Sequence, residues 1–269
     1  MEKSKPESSP MIEPEKLHLE IARTQVVVLA GGRAKRMGTD LPKCLLEVSG
    51  KKLIDWCIES LTKEGFREFV FLLGHKHELV TEHIGDGRRY GIKVRYSVDP
   101  PSNSGLGKGK ALKYALQNNR IDRSRRSIIT FPDDIMLEEN VYSRFLSNHI
   151  KAVCTDDVFA SIILVPGTEY PYGVAKVDSK GRIVKFTEKP LVRKPTSTGT
   201  YAFEPKVYEV IEERINLQDP NTVEFESAIL PILSKDYRLS SFFIGSNKWL
   251  PINTLKEYGQ AIKVLARQI

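Results

Sequence analysis

Residues 24–43 read TQVVVLAGGRAKRMGTDLPK. The first seven, Thr24 to Ala30, are nearly all apolar and do not alternate, which is the pattern of a strand buried on both faces; Gly31-Gly32 ends it. Beyond the glycines the charge is one-sided, with Arg33, Lys35, Arg36 and Lys43 against the single acid Asp40. Like charges crowded on flexible backbone repel, so the loop predicts an anion among them. Glycine lets backbone N–H groups approach phosphate oxygens, and nearby cations neutralise the charge. The position, just past the C-terminal end of a strand, is where open α/β sheets hold ligands. Two familiar phosphate loops are excluded, because the stretch has neither GxxxxGK[ST] nor GxGxxG. The plain alternative is a surface loop of solvated bases after an ordinary turn.

Outward from this loop, Ile54, Cys57, Ile58 and Leu61 recur at helical spacing and predict a helix over 52–64, stopped by Gly65. Strands are expected at 69–73, 92–98 and 127–131, alternating with helices near 76–84 and 108–118. The alternation, with crossovers long enough for parallel pairing, predicts a Rossmann-like, doubly wound α/β sheet over about 24–150. A further helix is expected around 137–145, with Asp133 or Asp134 available to cap it. The second half changes rhythm. Strands are expected at 158–165, 173–178, 182–187 and 198–203, with Ser179-Lys180-Gly181 as a hairpin turn. Helices at 205–214, 223–235 and 254–267 follow, with a strand near 238–244. No linker separates the halves, so a single domain over 21–269 is expected, its mixed sheet completed by a strand-rich portion over 151–269. Residues 1–20 are charged and rich in Pro and Ser, and are expected to form a solvated tail with a short helix at its end.

A chain of 269 residues can bury a full core, and its net charge of +7 favours an anionic partner. The 41 bases are interspersed with 34 acids and form no long block, so a nucleic-acid coat is not indicated and a phosphorylated small molecule fits the charge as well. Cys44, Cys57 and Cys154 are odd in number and widely spaced, giving neither a disulfide framework nor a zinc pattern. With no signal peptide or membrane span in the sequence, a cytoplasmic protein is expected.

The motifs resemble those of the sugar-1-phosphate nucleotidyltransferases. The resemblance rests on LAGG-x-x-x-Arg-Met with Leu41-Pro42-Lys43, on Phe131-Pro-Asp-Asp-Ile135, and on Tyr172-Gly-Val-Ala with Glu188-Lys189-Pro190 and Thr198-Gly-Thr-Tyr-Ala-Phe203. It covers about residues 24–260. It implies transfer of a nucleotidyl group from a nucleoside triphosphate to a sugar 1-phosphate, giving a nucleotide sugar and pyrophosphate. GTP with mannose 1-phosphate, or UTP or dTTP with glucose 1-phosphate, are the expected pairs. The acceptor phosphate is already ionised, so the chemistry calls for positioning and charge neutralisation rather than a general base.

By the same resemblance, Arg36 grips the triphosphate and Lys43 bridges to the α-phosphate as the catalytic pair, with Arg33 and Lys35 as electrostatic support. Leu29, Ala30, Gly31, Gly32, Asp99 and Gly107 are the expected nucleotide-binding residues, the last two within a base-reading segment, 99–112. Lys108 and Lys110 near the start of a helix oppose its dipole unless an anion is bound. Gly173, Glu188, Lys189 and Gly199 are the expected sugar-phosphate contacts, against the alternative of an exposed ion pair at Glu188-Lys189. Mg²⁺ is the expected cofactor, with Asp133 as ligand, Asp134 as its rival, and Asn253 as second ligand. Where the family carries Trp-x-Asp-Ile-Gly-Thr this chain has Trp249-Leu-Pro-Ile-Asn-Thr254, so Pro251 replaces an acid, and Asn253 either binds metal through its amide oxygen or caps the last helix. His75 and His77 receive no role. Ala34 and the Ile-Asn-Thr segment also resemble molybdenum-cofactor guanylyltransferases, and Pro251 fits a regulatory paralogue that binds nucleotide sugar without turnover. Self-association into a homo-oligomer is left open.

Overall fold

The structure, a computed structural model, describes residues 13–100 and 106–266. Val26, Val27 and Val28 have no exposed surface, because the strand Gln25–Leu29 lies mid-sheet with cores on both sides. Val26 and Val28 enter one core, Val27 and Leu29 the other, as the twofold repeat of a strand requires. Seven strands pair in the order Leu239–Phe243, Ala160–Val165, Thr196–Phe203, Ser127–Thr130, Gln25–Leu29, Glu68–Leu73 and Lys93–Val98. All pairings are parallel except those of Thr196–Phe203, which runs antiparallel to both its neighbours. The sheet is therefore the mixed α/β sheet expected, and it continues from the first half of the chain into the second.

Helices cover both faces. Leu53–Lys63 and Val141–Asp156 bury Ile54, Ile58, Leu61, Phe145 and Leu146 against one face. Lys108–Gln117 and Pro205–Arg214 bury Leu112, Leu116, Val207 and Ile211 against the other. The short helix expected at the end of the tail is Pro14–Arg23; it packs Leu17 and Ile21 on the first core, and Glu20 pairs with Arg126 at 2.8 Å. Residues 1–12 lie outside the described residues.

Three further expectations are corrected. The helix expected at 137–145 begins only at Val141; before it, Asp134–Met136 forms an antiparallel ribbon with Trp249–Pro251. The helix expected over 223–235 is two, Phe225–Ala228 and Leu230–Lys235, because Pro231 cannot donate the hydrogen bond that would join them. The charges of Lys108 and Lys110 are met by protein groups, so the helix start does not require a bound anion to balance them. Lys108 pairs with Glu226 and lies 3.4 Å from Glu224, while Lys110, 3% exposed, donates to the carbonyls of Asp219 and Asn221.

Candidate functional site

The loop after Gln25–Leu29 leaves the sheet and returns to it. Lys43 N–H donates to the Gly32 carbonyl at 3.0 Å and Ala34 N–H to Leu41 at 3.2 Å, with a 3-10 turn at Lys35–Met37 between them. Its one acid, Asp40, takes His75 at 2.8 Å and Lys76 at 2.7 Å, and these contacts hold its carboxyl below the ordinary range. Asp40 thus ties the basic loop to the segment following the next strand, and His75 has a tethering contact that the sequence did not suggest.

This return sets Lys43 at the mouth of a cavity of about 410 Å³ at the C-terminal ends of the parallel strands. All six expected nucleotide-binding residues, Leu29, Ala30, Gly31, Gly32, Asp99 and Gly107, line it, as do Lys43 and Asp133. Backbones meet closely there: a Cβ on Gly31 would lie 3.2 Å from the Gly74 nitrogen. Arg36 lines an adjoining cleft of about 240 Å³ that shares Arg33 and Lys43 with the cavity and also reaches Asn253. Residues 101–105 of the expected base-reading segment lie outside the described residues.

The Lys43 ammonium is the meeting point of the two expected metal ligands. It contacts the Asp133 carboxylate and donates to Asn253 Oδ1 at 2.9 Å. Two elements make this possible. The ribbon brings two segments remote in sequence together, with Ile252 N–H donating to the Asp133 carbonyl at 2.9 Å. Ile135, Ile252, Ala261 and Leu265 form a small core that fixes the ribbon against the last helix, Leu255–Leu265. That helix is capped by Thr254, whose hydroxyl accepts from Glu257 N–H, while Glu257 reaches back to Asn253 N–H. The cap role therefore falls to Thr254, and the Asn253 amide is turned to Lys43.

Asp134 faces the other way. Its carboxylate accepts from the Trp249 indole at 2.9 Å, and burial, reinforced by the charge of Asp133, pushes its pKa well up. Gly199, at a break in strand register with φ +82°, makes room for it: a Cβ there would lie 2.7 Å from Asp134 Oδ2 and 3.0 Å from the Phe131 ring. The opening expected at Gly199 for a sugar is thus taken up by Asp134 and Phe131, one of the cavity's walls.

Gly173, Glu188 and Lys189 are not brought to the cavity. They belong to the hairpin Val174–Val177 and Ile183–Thr187, which is exposed throughout, and Gly173 makes room for the Phe186 ring. The two charges stand 3.9 Å apart on the surface. Cavity-lining residues that sequence reasoning missed include Cys44, Leu72, Phe131, Pro132 and Glu224. Phe131 was within the quoted acidic motif; Glu224 comes from a distant loop and carries no local signal.

Among the described residues, no three His, Cys, Asp or Glu side chains converge as a metal cluster. The pair of hard oxygens that converge on the Lys43 ammonium, from Asp133 and Asn253, fits a divalent ion that completes its shell with phosphate and water. No helix of the described residues is long and apolar enough to cross a membrane.

Known proteins resemble this chain in sequence and fold. The chain is 28% identical over 262 residues to a UTP–glucose-1-phosphate uridylyltransferase of Synechocystis, covering 91% of this chain and 64% of that protein. It is 28% identical over 228 residues to a low-salt glycan biosynthesis nucleotidyltransferase of Haloferax volcanii, covering 81% and 59%. The chain thus spans about three-fifths of the length of these relatives. The crystal structure of HddC from Yersinia pseudotuberculosis shares the fold, with a TM-score of 0.64 at 23% identity, covering 90% of this chain and 99% of that one. The family model for nucleotidyl transferases matches residues 25–268, and the chain belongs to that family.

Proposed function

We propose that the protein joins a nucleoside triphosphate to a sugar 1-phosphate, releasing pyrophosphate. The observation that carries this reading is the Lys43 ammonium held between Asp133 and Asn253 at the mouth of the cavity lined by Leu29–Gly32. In the reaction, a phosphate oxygen of the acceptor attacks the α-phosphorus in line, a new P–O bond forms, and the bond to the β-phosphate breaks. The nucleoside lies in the cavity, with backbone of Gly31 and Gly32 against it. Lys43 neutralises the α-phosphate, and Arg36, in the adjoining cleft, grips the leaving pyrophosphate with its forked guanidinium. Asp133 and Asn253 would hold Mg²⁺, which neutralises phosphate charge when bound. A neutral amide in place of the second acid weakens that affinity without removing it, since Mg²⁺ leans on substrate phosphates and water.

The test is pyrophosphate release by the purified chain, with and without Mg²⁺, over a panel of nucleoside triphosphates and sugar 1-phosphates. Turnover that needs both substrates and is abolished by EDTA is expected. Nucleotide-sugar binding without release under any metal would replace the enzyme by a regulatory binder.

A further inference from the structure

Between the strands Ala160–Val165 and Thr196–Phe203 the chain leaves the sheet as an arm. Thr168–Glu169 pairs with Leu191–Val192 at its root, and Val174–Val177 pairs with Ile183–Thr187 beyond. The outer hairpin is exposed along both strands and lines neither the cavity nor the adjoining cleft. A two-stranded hairpin is marginal in water by itself, so an uncovered one rich in apolar side chains calls for a surface to meet.

Its side chains are sorted. Partners across an antiparallel pair share a face. Ala175 with Phe186 and Val177 with Ile183 make one face apolar, while Lys176 with Lys185 stand on the other. Val184 falls at the break in register. Val177, Ile183, Val184 and Phe186 are each more than half exposed. Residues 174–194 carry seven bases against two acids. Of those bases, only Arg182 and Lys189 meet a carboxylate among the described residues, Arg182 with Asp178 at 2.7 Å. At the root, the exposed rings of Tyr170 and Tyr172 meet edge to face, with centres 5.7 Å apart.

This charge narrows the occupant. The cavity mouth carries Arg33 and Lys43, which repel a basic arm folded back on it. The arms of two copies repel each other for the same reason. A nucleic acid would answer the bases but leave Val177, Ile183 and Val184 in water, since aliphatic side chains give its bases no ring to stack on. A bilayer with anionic lipid answers both features. Apolar side chains enter the interface, while lysine and arginine stems carry their charges out to the headgroup phosphates. Tyrosine suits the same depth. The arm is a wedge exposed on both faces, which a fluid interface surrounds and a protein pocket covers only in part.

We propose that the arm 170–194 seats this protein on the surface of a bilayer that carries anionic lipid, with Val177, Ile183, Val184 and Phe186 in the interface and Lys176, Lys180 and Lys185 on lipid phosphates. The proposal stands apart from the nucleotidyl-transfer reading and does not depend on it.

The test is flotation of the full chain with vesicles of phosphatidylcholine alone and of phosphatidylcholine with about one-third phosphatidylserine. Binding to the anionic vesicles is expected to exceed that to the neutral ones by about 10-fold or more, and to weaken as salt is raised. Ile183→Ser with Val184→Ser, and separately Lys180→Glu with Lys185→Glu, should each cut the binding by roughly 10-fold. Both pairs are exposed, so their circular-dichroism melts should match that of the unaltered chain. On the unaltered chain, anionic vesicles should also slow trypsin cleavage after Lys180, Arg182 and Lys185, a readout that needs no variant to fold. No binding to either vesicle, or equal binding to both, would overturn the proposal. Undiminished binding by both variants, or cleavage in the arm unslowed by vesicles, would overturn it by taking the arm out of the contact. Arm-dependent self-association in sedimentation equilibrium, without vesicle binding, would overturn it in favour of a second copy of this chain.

Discussion

At the scale of single residues, the adjacent acids Asp133 and Asp134 have opposite fates. A one-residue step turns a side chain to the other face, so Asp133 meets Lys43 while Asp134 is buried against Trp249. The resemblance put Asp133 ahead of its rival Asp134, but no local pattern separates two adjacent acids, because what each one faces depends on the ribbon with Trp249–Pro251, more than 100 residues on. Asp133→Asn is expected to lower turnover about 100- to 1,000-fold, the usual effect of removing a group that acts on transition-state charge. Asp134→Asn keeps a similar shape at a carboxyl that burial already drives toward its neutral form, and should change turnover less than about 10-fold. Steady-state pyrophosphate release measures both; the reverse order would make Asp134 the acid that acts. Asn253 repeats the lesson. Thr254 and Glu257 spelled a capping box that the sequence did contain, but only the fold turned the Asn253 amide to Lys43.

At the scale of elements, the approach of the loop 106–109 to Val223 shapes the cavity wall. Gly107 has φ +76°, and a Cβ there would stand 2.7 Å from the Val223 nitrogen and oxygen. Val223 also accepts from Gly109 N–H at 2.8 Å and donates to Leu106, so the contact is backbone on backbone and cannot yield by a rotamer change. Gly107→Ala should therefore destabilise the fold by about 2 kcal/mol or more, read as a lower urea midpoint at unchanged slope. Helices and sheet strands were legible because their apolar periodicity is local. The hairpin was equally legible: Gly181 has φ +77° and Asp178 accepts from Lys180 and Arg182 N–H. What the hairpin faces was not legible, since its residues 174–177 and 183–187 pack on nothing described.

At the scale of the whole molecule, one buried polar chain joins parts remote in sequence. His149, with no exposed surface, bonds to Ser161 at 2.8 Å and to Glu204 at 3.0 Å; Glu204 pairs with Arg126, which reaches Glu20 on the first helix. Burial lowers the His149 pKa from 6.5. Burial works to raise Glu204, but His149 and Arg126 outweigh it and hold that carboxyl low. Both groups then bind fewer protons folded than unfolded, so the stability they contribute is present at neutral pH and is lost on acidification, beginning as pH falls below 6.5. Thermal unfolding should show Tm falling from pH 7 toward about pH 5, and His149→Gln should flatten that slope whatever it does to Tm at neutral pH. The sequence by itself determined the mixed α/β sheet and the basic loop at its C-terminal edge, because burial patterns and glycine placement act over a few residues; six of the residues that line the cavity followed from the resemblance of its motifs to a known family. Which acid meets Lys43, and that Gly173, Glu188 and Lys189 stand apart from the cavity, were decided only by the tertiary structure. Those outcomes depend on contacts between segments tens to hundreds of residues apart, which no local pattern encodes.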